Sequence, residues 1–246
     1  MTSIFKAVFC TSLACAPAFA SLTFVTTPGG LGSNDSTSWA QLGGDTTALG
    51  PNFTATSGLG VGVTGNFGAT DNKGIVAVVC PSTPSCGWTT SGTGMNAGDT
   101  DIWAFDNGAA NGGAGTGPIT LAFSTALVGV GAWIEGDTGG TYTGSIQAFN
   151  GGTSLGAAST FTSDGTGDPI FLGLVNSPAL ANITSVVFSL TSCTGCTNLG
   201  DFAMDTLLMT DQVIVSSTPE PSSMLLLGGG LAGMAFILRR MNSRKS

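Results

Sequence analysis

Cysteines and carboxylates are the residues of this chain whose types and spacing could do chemistry. The 246-residue sequence holds six cysteines and no histidine. Without imidazole there is no Ser-His-Asp or Cys-His catalysis, and the commonest transition-metal ligand is missing. Cys10 and Cys15 lie near the start, and Cys80, Cys86, Cys193 and Cys196 lie in the body. An even number of thiols in an oxidising compartment predicts structural disulfides, and four cysteines allow three pairings. The simplest are local: Cys80 with Cys86 around Pro81-Ser82-Thr83-Pro84-Ser85, and Cys193 with Cys196 across Thr194-Gly195. Two other chemistries compete. Zinc would want a second close pair, whereas five residues separate Cys80 from Cys86. A thioredoxin-like redox pair wants a helix start, and Thr-rich sequence follows a strand here.

Two pairs of carboxylates, Glu135 with Asp137 and Asp164 with Asp168, could serve a glycosidase, which needs two carboxyls about 5–9.5 Å apart. No surrounding acid-base environment that would tune either member is visible, and Asp is common in loops for turn reasons. Asp99-Thr100-Asp101, Asp106-Asn107 and Asp164-Gly165-Thr166-Gly167-Asp168 offer hard oxygen ligands of the kind calcium takes, but none forms an EF-hand loop. Calcium is therefore the one cofactor these loops could hold. No metal ligand and no catalytic residue is assigned, and a non-enzymatic protein is expected. Trp39, Trp88, Trp103 and Trp133 could stack on sugar rings, though some must belong to the core. Gly152-Thr153-Ser154-Leu155-Gly156 matches the nucleophile-elbow string but lies between strands with no histidine base, so it predicts a β-turn. Gly60-Val61-Gly62-Val63-Thr64-Gly65 matches the dinucleotide string but opens no helix, so it predicts a Gly-rich strand or turn.

The elements that must position these residues are short apolar segments between Gly, Asn, Asp, Pro and Thr clusters. They run from Leu22 to Thr26, Phe53 to Ser57, Ile75 to Val79, Ile102 to Phe105, Ile119 to Phe123, Leu127 to Ile134, Tyr142 to Phe149, Ile170 to Val175, Ile183 to Leu190, Phe202 to Met209 and Val213 to Val215. Several alternate: Val128, Val130, Ala132 and Ile134 share one face, and Val186, Phe188 and Leu190 share another. Period-two patterning with β-branched residues and Gly-rich gaps predicts an antiparallel β-sandwich. The segments are looser before residue 119 and denser from Ile119 to Met209. Charge is scarce at 8 % and Gly abundant, 39 residues. Low charge with 42 % hydrophobic residues is not the composition of disorder.

The two ends read differently from the body. Lys6, an apolar stretch and Ala18-Phe19-Ala20 predict a signal peptide over residues 1–20, cut after Ala20 to leave Ser21 as the new N-terminus, with signal peptidase as partner. The lipoprotein alternative at Cys15 lacks its Leu, because Ser12 stands there. At the other end Pro219-Glu220-Pro221 precedes an uncharged apolar run, and Arg239, Arg240, Arg244 and Lys245 close the chain. That pattern predicts a transmembrane helix over 222–238, at the short limit for a bilayer, with the basic tail 239–246 on the cytoplasmic side. Gly229 and Gly233 are spaced for close helix packing. Between the ends thirteen acidic residues face one base, Lys73, a net charge of −12. Such a body disfavours nucleic acid, whose binding rests on neutralising phosphates, and suits solubility outside the cell.

The three-part C-terminus, Pro-Glu-Pro, then Ser222-Ser223-Met224-Leu225-Leu226-Leu227-Gly228 running on through Gly230-Leu231-Ala232-Gly233, then basic residues, resembles the PEP-CTERM sorting signal. The resemblance covers residues 218–246 and implies processing by an exosortase, a membrane-embedded cysteine protease of Gram-negative bacteria, near Pro219, Glu220 and Pro221. It implies transient residence in the inner membrane, then release to the cell surface or extracellular matrix. Segments from Ala122 to Leu207, among them Ile146-Gln147-Ala148-Phe149-Asn150 and Phe202-Ala203-Met204-Asp205-Thr206-Leu207, are similar to an exported domain that recurs in PEP-CTERM proteins. That similarity implies a jelly-roll-like sandwich, and the exported domain is expected over residues 21–217. The role expected is structural or adhesive, in exopolysaccharide or biofilm, with exopolysaccharide as a further partner. The alternatives are a calcium-assisted carbohydrate-binding module and a carboxylate glycosidase.

Overall fold

A computed structural model of the chain describes residues 21–44, 47–68, 75–79, 100–104, 115–136, 140–177, 180–196 and 199–211. In chain order the elements are β1 (Ser21–Val25), α1 (Pro28–Leu31), β2 (Asp35–Thr37), a 3-10 turn (Trp39–Leu42), β3 (Thr47–Leu49), β4 (Asn52–Thr56), β5 (Gly62–Phe67), β6 (Ile75–Val79), β7 (Thr100–Trp103) and β8 (Ile119–Leu127). They continue with β9 (Gly129–Gly136), β10 (Tyr142–Asn150), β11 (Thr153–Ser154), β12 (Ser159–Thr162), β13 (Ile170–Ser177), β14 (Ile183–Cys193), β15 (Phe202–Met204) and β16 (Leu207–Thr210). Among the described residues every strand pairing is antiparallel.

The strands form two sheets. The first runs β1-β13-β9-β15-β7-β6-β3, with β16 joined to β9 and β2 joined to β16. The second runs β11-β10-β14-β8-β5-β4, with β12 beside β10. Their inner faces pack together as a β-sandwich: a side chain at Gly144 of the second sheet would lie 2.6 Å from Ile134 Cδ1 and 2.9 Å from Leu172 Cδ1 of the first. Ile134, Leu172 and Leu174 from one sheet and Ile146, Phe188 and Leu121 from the other share a single core cluster. Alternation produces this burial. In β14 Val186, Phe188 and Leu190 are buried while Val187 and Ser189 are half-exposed.

Among the described residues, strands from the first part of the chain pair directly with strands from the second. β1 pairs with β13, β2 with β16, and β5 with β8. Trp39 is fully buried, donates its Nε1–H to the Asp205 carbonyl at 2.9 Å, and meets the Phe53 ring edge-on at 5.8 Å. A buried indole requires such an acceptor, which fixes how the 3-10 turn seats on the core. Two segments that read as continuous are each divided. Between Leu127 and Ile134 the chain passes at Val128 from β8 in the second sheet to β9 in the first. Between Phe202 and Met209 it breaks at Asp205-Thr206, so that β15 pairs with the far end of β9 and β16 with its near end. The Asp205 carboxylate accepts the Thr206 amide at that break.

Candidate functional site

The sequence-predicted groups that the fold brings together lie around Tyr142. In register Tyr142 stands opposite Cys193, and the Thr194 amide donates to the Thr141 carbonyl at 2.8 Å. The Ser163 amide donates to the Tyr142 carbonyl at 2.8 Å, and the Ser163 hydroxyl accepts the Tyr142 amide at 3.0 Å. These bonds hold the loop carrying Asp164 and Asp168 beside the end of β14, which carries Cys193 and Cys196. The two cysteines form a disulfide with Cα atoms 5.6 Å apart, an ordinary separation for the bond. Gly195 between them has φ 87°, the left-handed conformation that a two-residue cysteine turn of this kind needs. The competing redox reading looked for a helix start here, and the pair instead closes the end of a strand.

Within the loop the Thr166 hydroxyl stands between two carboxylates, 2.6 Å from Asp164 Oδ1 and 2.8 Å from Asp168 Oδ2. The Thr166 amide also donates to Asp164 Oδ1 at 2.9 Å. The hydroxyl and amide of Thr166 hold the Asp164 carboxyl below its ordinary range. A glycosidase general acid needs the opposite shift. Asp164 and Asp168 are thus adjacent, as the sequence suggested, but as the two sides of a hydrogen-bonded turn. Their oxygens are what this loop could offer a hard cation. Among the described residues no group of three or more His, Cys, Asp or Glu side chains is gathered where a metal ion could sit.

Tyr142 itself is fully buried, and its hydroxyl reaches two backbone carbonyls, Asp168 at 2.7 Å and Ile134 at 3.0 Å. It therefore ties the acidic loop to β9. Burial pushes its pKa far above the usual tyrosine value, and the Glu135 carboxylate adds to the rise. Glu135 is buried on β9, while its sequence partner Asp137 lies outside the described residues.

Sequence inspection singled out Asp101 and Glu135 but not Asp201 and Asp205. Asp101, Glu135, Asp201 and Asp205 are all buried. Asp101 and Glu135 stand on β7 and β9, the two strands that flank β15, and Asp201 and Asp205 come immediately before and after β15. Trp103 Nε1–H donates to Asp201 Oδ1 at 2.7 Å. The available signal was acids alternating with Ile102, Ile134 and Met204, which face the core. The remaining motifs are placed as turns and strands. Gly151 and Gly152, with φ 53° and 87°, form the two-residue turn joining β10 to β11, and the Ser154 hydroxyl donates locally to the Gly156 carbonyl. The Gly60-to-Gly65 string is a turn followed by β5. Trp103 and Trp133 are half-buried, and Trp133 packs on Phe171 at 5.4 Å.

Ser21 is the first residue of β1. Ala18, Ala20, Cys80, Cys86, Trp88, Asp99, Asp106, Asn107, Pro219, Glu220 and Pro221 lie outside the described residues, as do the segments 1–20 and 222–246. Among the described residues no helix is long and apolar enough to cross a membrane. No curated protein matches the chain. Among solved structures, it is similar to the K3 cleaved adhesin domain of Lys-gingipain from Porphyromonas gingivalis W83. The likeness has 14 % identity and a TM-score of 0.34, over 61 % of this chain and 91 % of that one. The PEP-CTERM protein-sorting motif matches residues 217–240, the same stretch whose Pro-Glu-Pro, apolar run and arginines were read from the sequence. The chain is a β-sandwich protein that carries a PEP-CTERM sorting motif at residues 217–240.

Proposed function

We propose that this protein is exported, held briefly in the inner membrane by residues 222–238, cut by an exosortase near Pro219-Glu220-Pro221, and released to the envelope surface or extracellular matrix. The single observation that carries the reading is the sorting motif over residues 217–240. The signal peptide over residues 1–20 and its cleavage by signal peptidase belong to the same proposal. It is supported by Ala18-Phe19-Ala20 and by Ser21 opening the first strand. The body, a jelly-roll-like sandwich in this reading, serves as a structural or adhesive component of a polysaccharide matrix and does no covalent chemistry. Supporting that are the absence of histidine from the sequence and the lowered pKa of Asp164, which suits a turn better than an acid catalyst.

Replacing Pro219, Glu220 and Pro221 together by Ala tests the sorting step. Cell fractionation should find the variant accumulating in the inner membrane while the parent protein reaches the surface or medium. Equal release of both would refute the sorting role of the motif.

A further inference from the structure

We propose that the outer face of the second sheet is the surface on which this protein lies against a neutral polysaccharide. The proposal deepens the matrix role argued above and rests on that reading for its setting. None of the seven strands of this sheet contains Asp, Glu, Lys or Arg. The first sheet, by contrast, carries Asp35, Asp101 and Glu135. A body with a net charge of −12 thus has one wholly uncharged sheet.

Pairing arranges the outward residues of that sheet in rows. One row is Thr54, Thr64, Ala122, Ser185, Phe149 and Ser154. The next is Asn52, Asn66, Thr120, Val187 and Gln147. Beyond them Ser189 and Thr160 flank Ser145, which is itself buried. The six-membered row spans five strand spacings, about 24 Å, and successive rows lie about 7 Å apart. Neighbours steady one another. Asn66 Nδ2–H donates to Asn52 Oδ1 at 2.7 Å, Gln147 Nε2–H to Ser154 Oγ at 3.1 Å, and the Thr143 and Thr162 hydroxyls lie 2.9 Å apart.

Hydroxyl and amide side chains both donate and accept, which matches the chemistry of sugar hydroxyls. A charge covered by a neutral polymer would lose hydration without gaining a partner, and this face has none to lose. An anionic polymer finds no base here and meets an acidic body, so neutrality of the polymer follows from the charge distribution. A protein partner would want aromatic, Met or Arg anchors, and Phe149 is the one aromatic in these rows. Contact repeated along a long polymer makes up for weak individual sites.

Native gel electrophoresis of the full chain in nonionic detergent, with dextran, amylose or alginate cast in the gel, tests this. The charge variant is Thr64→Glu with Ser189→Glu, the shape-preserving variant is Thr64→Val, and Thr23→Glu on the edge strand of the other sheet is the control. We expect dextran or amylose to retard the parent and the control alike, and alginate to retard neither. The charge variant should weaken the apparent affinity about tenfold or more, because uncompensated charge is buried under the polymer. Thr64→Val should weaken it less, with an unchanged melting temperature, and decides the matter if the charge variant fails to fold. No retardation by either neutral polymer, or equal retardation of parent and both face variants, would overturn the proposal. Conversion of a dimer to a monomer by the charge variant would also overturn it, by making the face a self-association surface. Sorting is measured on cells and this binding on purified protein, so either can fail alone.

Discussion

Tyr142 is the only tyrosine in the sequence, so its hydroxyl can be followed by itself. Its folded pKa is raised, so the stability it contributes is complete below the ordinary tyrosine value of 10.0 and is lost as pH climbs above it. Near-ultraviolet absorbance should therefore show no tyrosinate in the folded protein at about pH 11, and its appearance on unfolding in denaturant. A tyrosinate signal from the folded chain at that pH would contradict the burial. Tyr142→Phe should cost about 1–2 kcal/mol in denaturant unfolding, because the Asp168 and Ile134 carbonyls lose a buried donor. Replacing Cys193 and Cys196 by Ser should cost about 2 kcal/mol, the loop-entropy value for so short a closure. The local cysteine pairing was legible because two residues of separation leave little other geometry. Tyr142's role was not, since nothing in Tyr142-Thr143-Gly144 reveals that two distant carbonyls converge on its hydroxyl.

The central element is β9, which pairs with β13 on one side and with β15 and β16 on the other. Its glycines allow close approach. A Cβ at Gly131 would stand 2.8 Å from the Leu172 carbonyl oxygen and 2.9 Å from Gly173 Cα, backbone atoms that cannot turn aside. The three atoms nearest a Cβ at Gly144 in β10 would be the side-chain ends of Ile134, Leu172 and Ile170. Gly131→Ala should therefore destabilise by about 3 kcal/mol and Gly144→Ala by about 1 kcal/mol, the two ends of the overpacking range. Equal losses in thermal unfolding would refute this ranking. Strands built on apolar segments, such as the alternating β14 and the continuous run of β13, were readable from sequence. So was the antiparallel sandwich they build. The passage between sheets at Val128 was hidden, because the inward alternation of Val128, Val130, Ala132 and Ile134 runs unbroken through the corner. β2, β3 and β12 were also missed, for Asp35-Ser36-Thr37, Thr47-Ala48-Leu49 and Ser159-Thr160-Phe161-Thr162 are too short or too polar to show a period and are strands only through their partners.

For the whole molecule, charge divides by place. Four of the six bases stand in the last eight residues, and the body between the two ends is acidic apart from Lys73. This asymmetry made the C-terminal motif the plainest feature of the sequence, since three chemically distinct parts occur in fixed order. The uncharged face of the second sheet was invisible there, because it exists only once register aligns residues from six strands. The account centres on removal of the C-terminal segment during export. The measurement that tests it most directly is the intact mass of the protein recovered from the medium or cell surface, compared with that from cells lacking the exosortase. The account predicts a released form without the apolar run and basic tail, and full-length chain in the membranes of the deficient cells. A released protein that still carries residues 222–246, or identical masses from both, would contradict it.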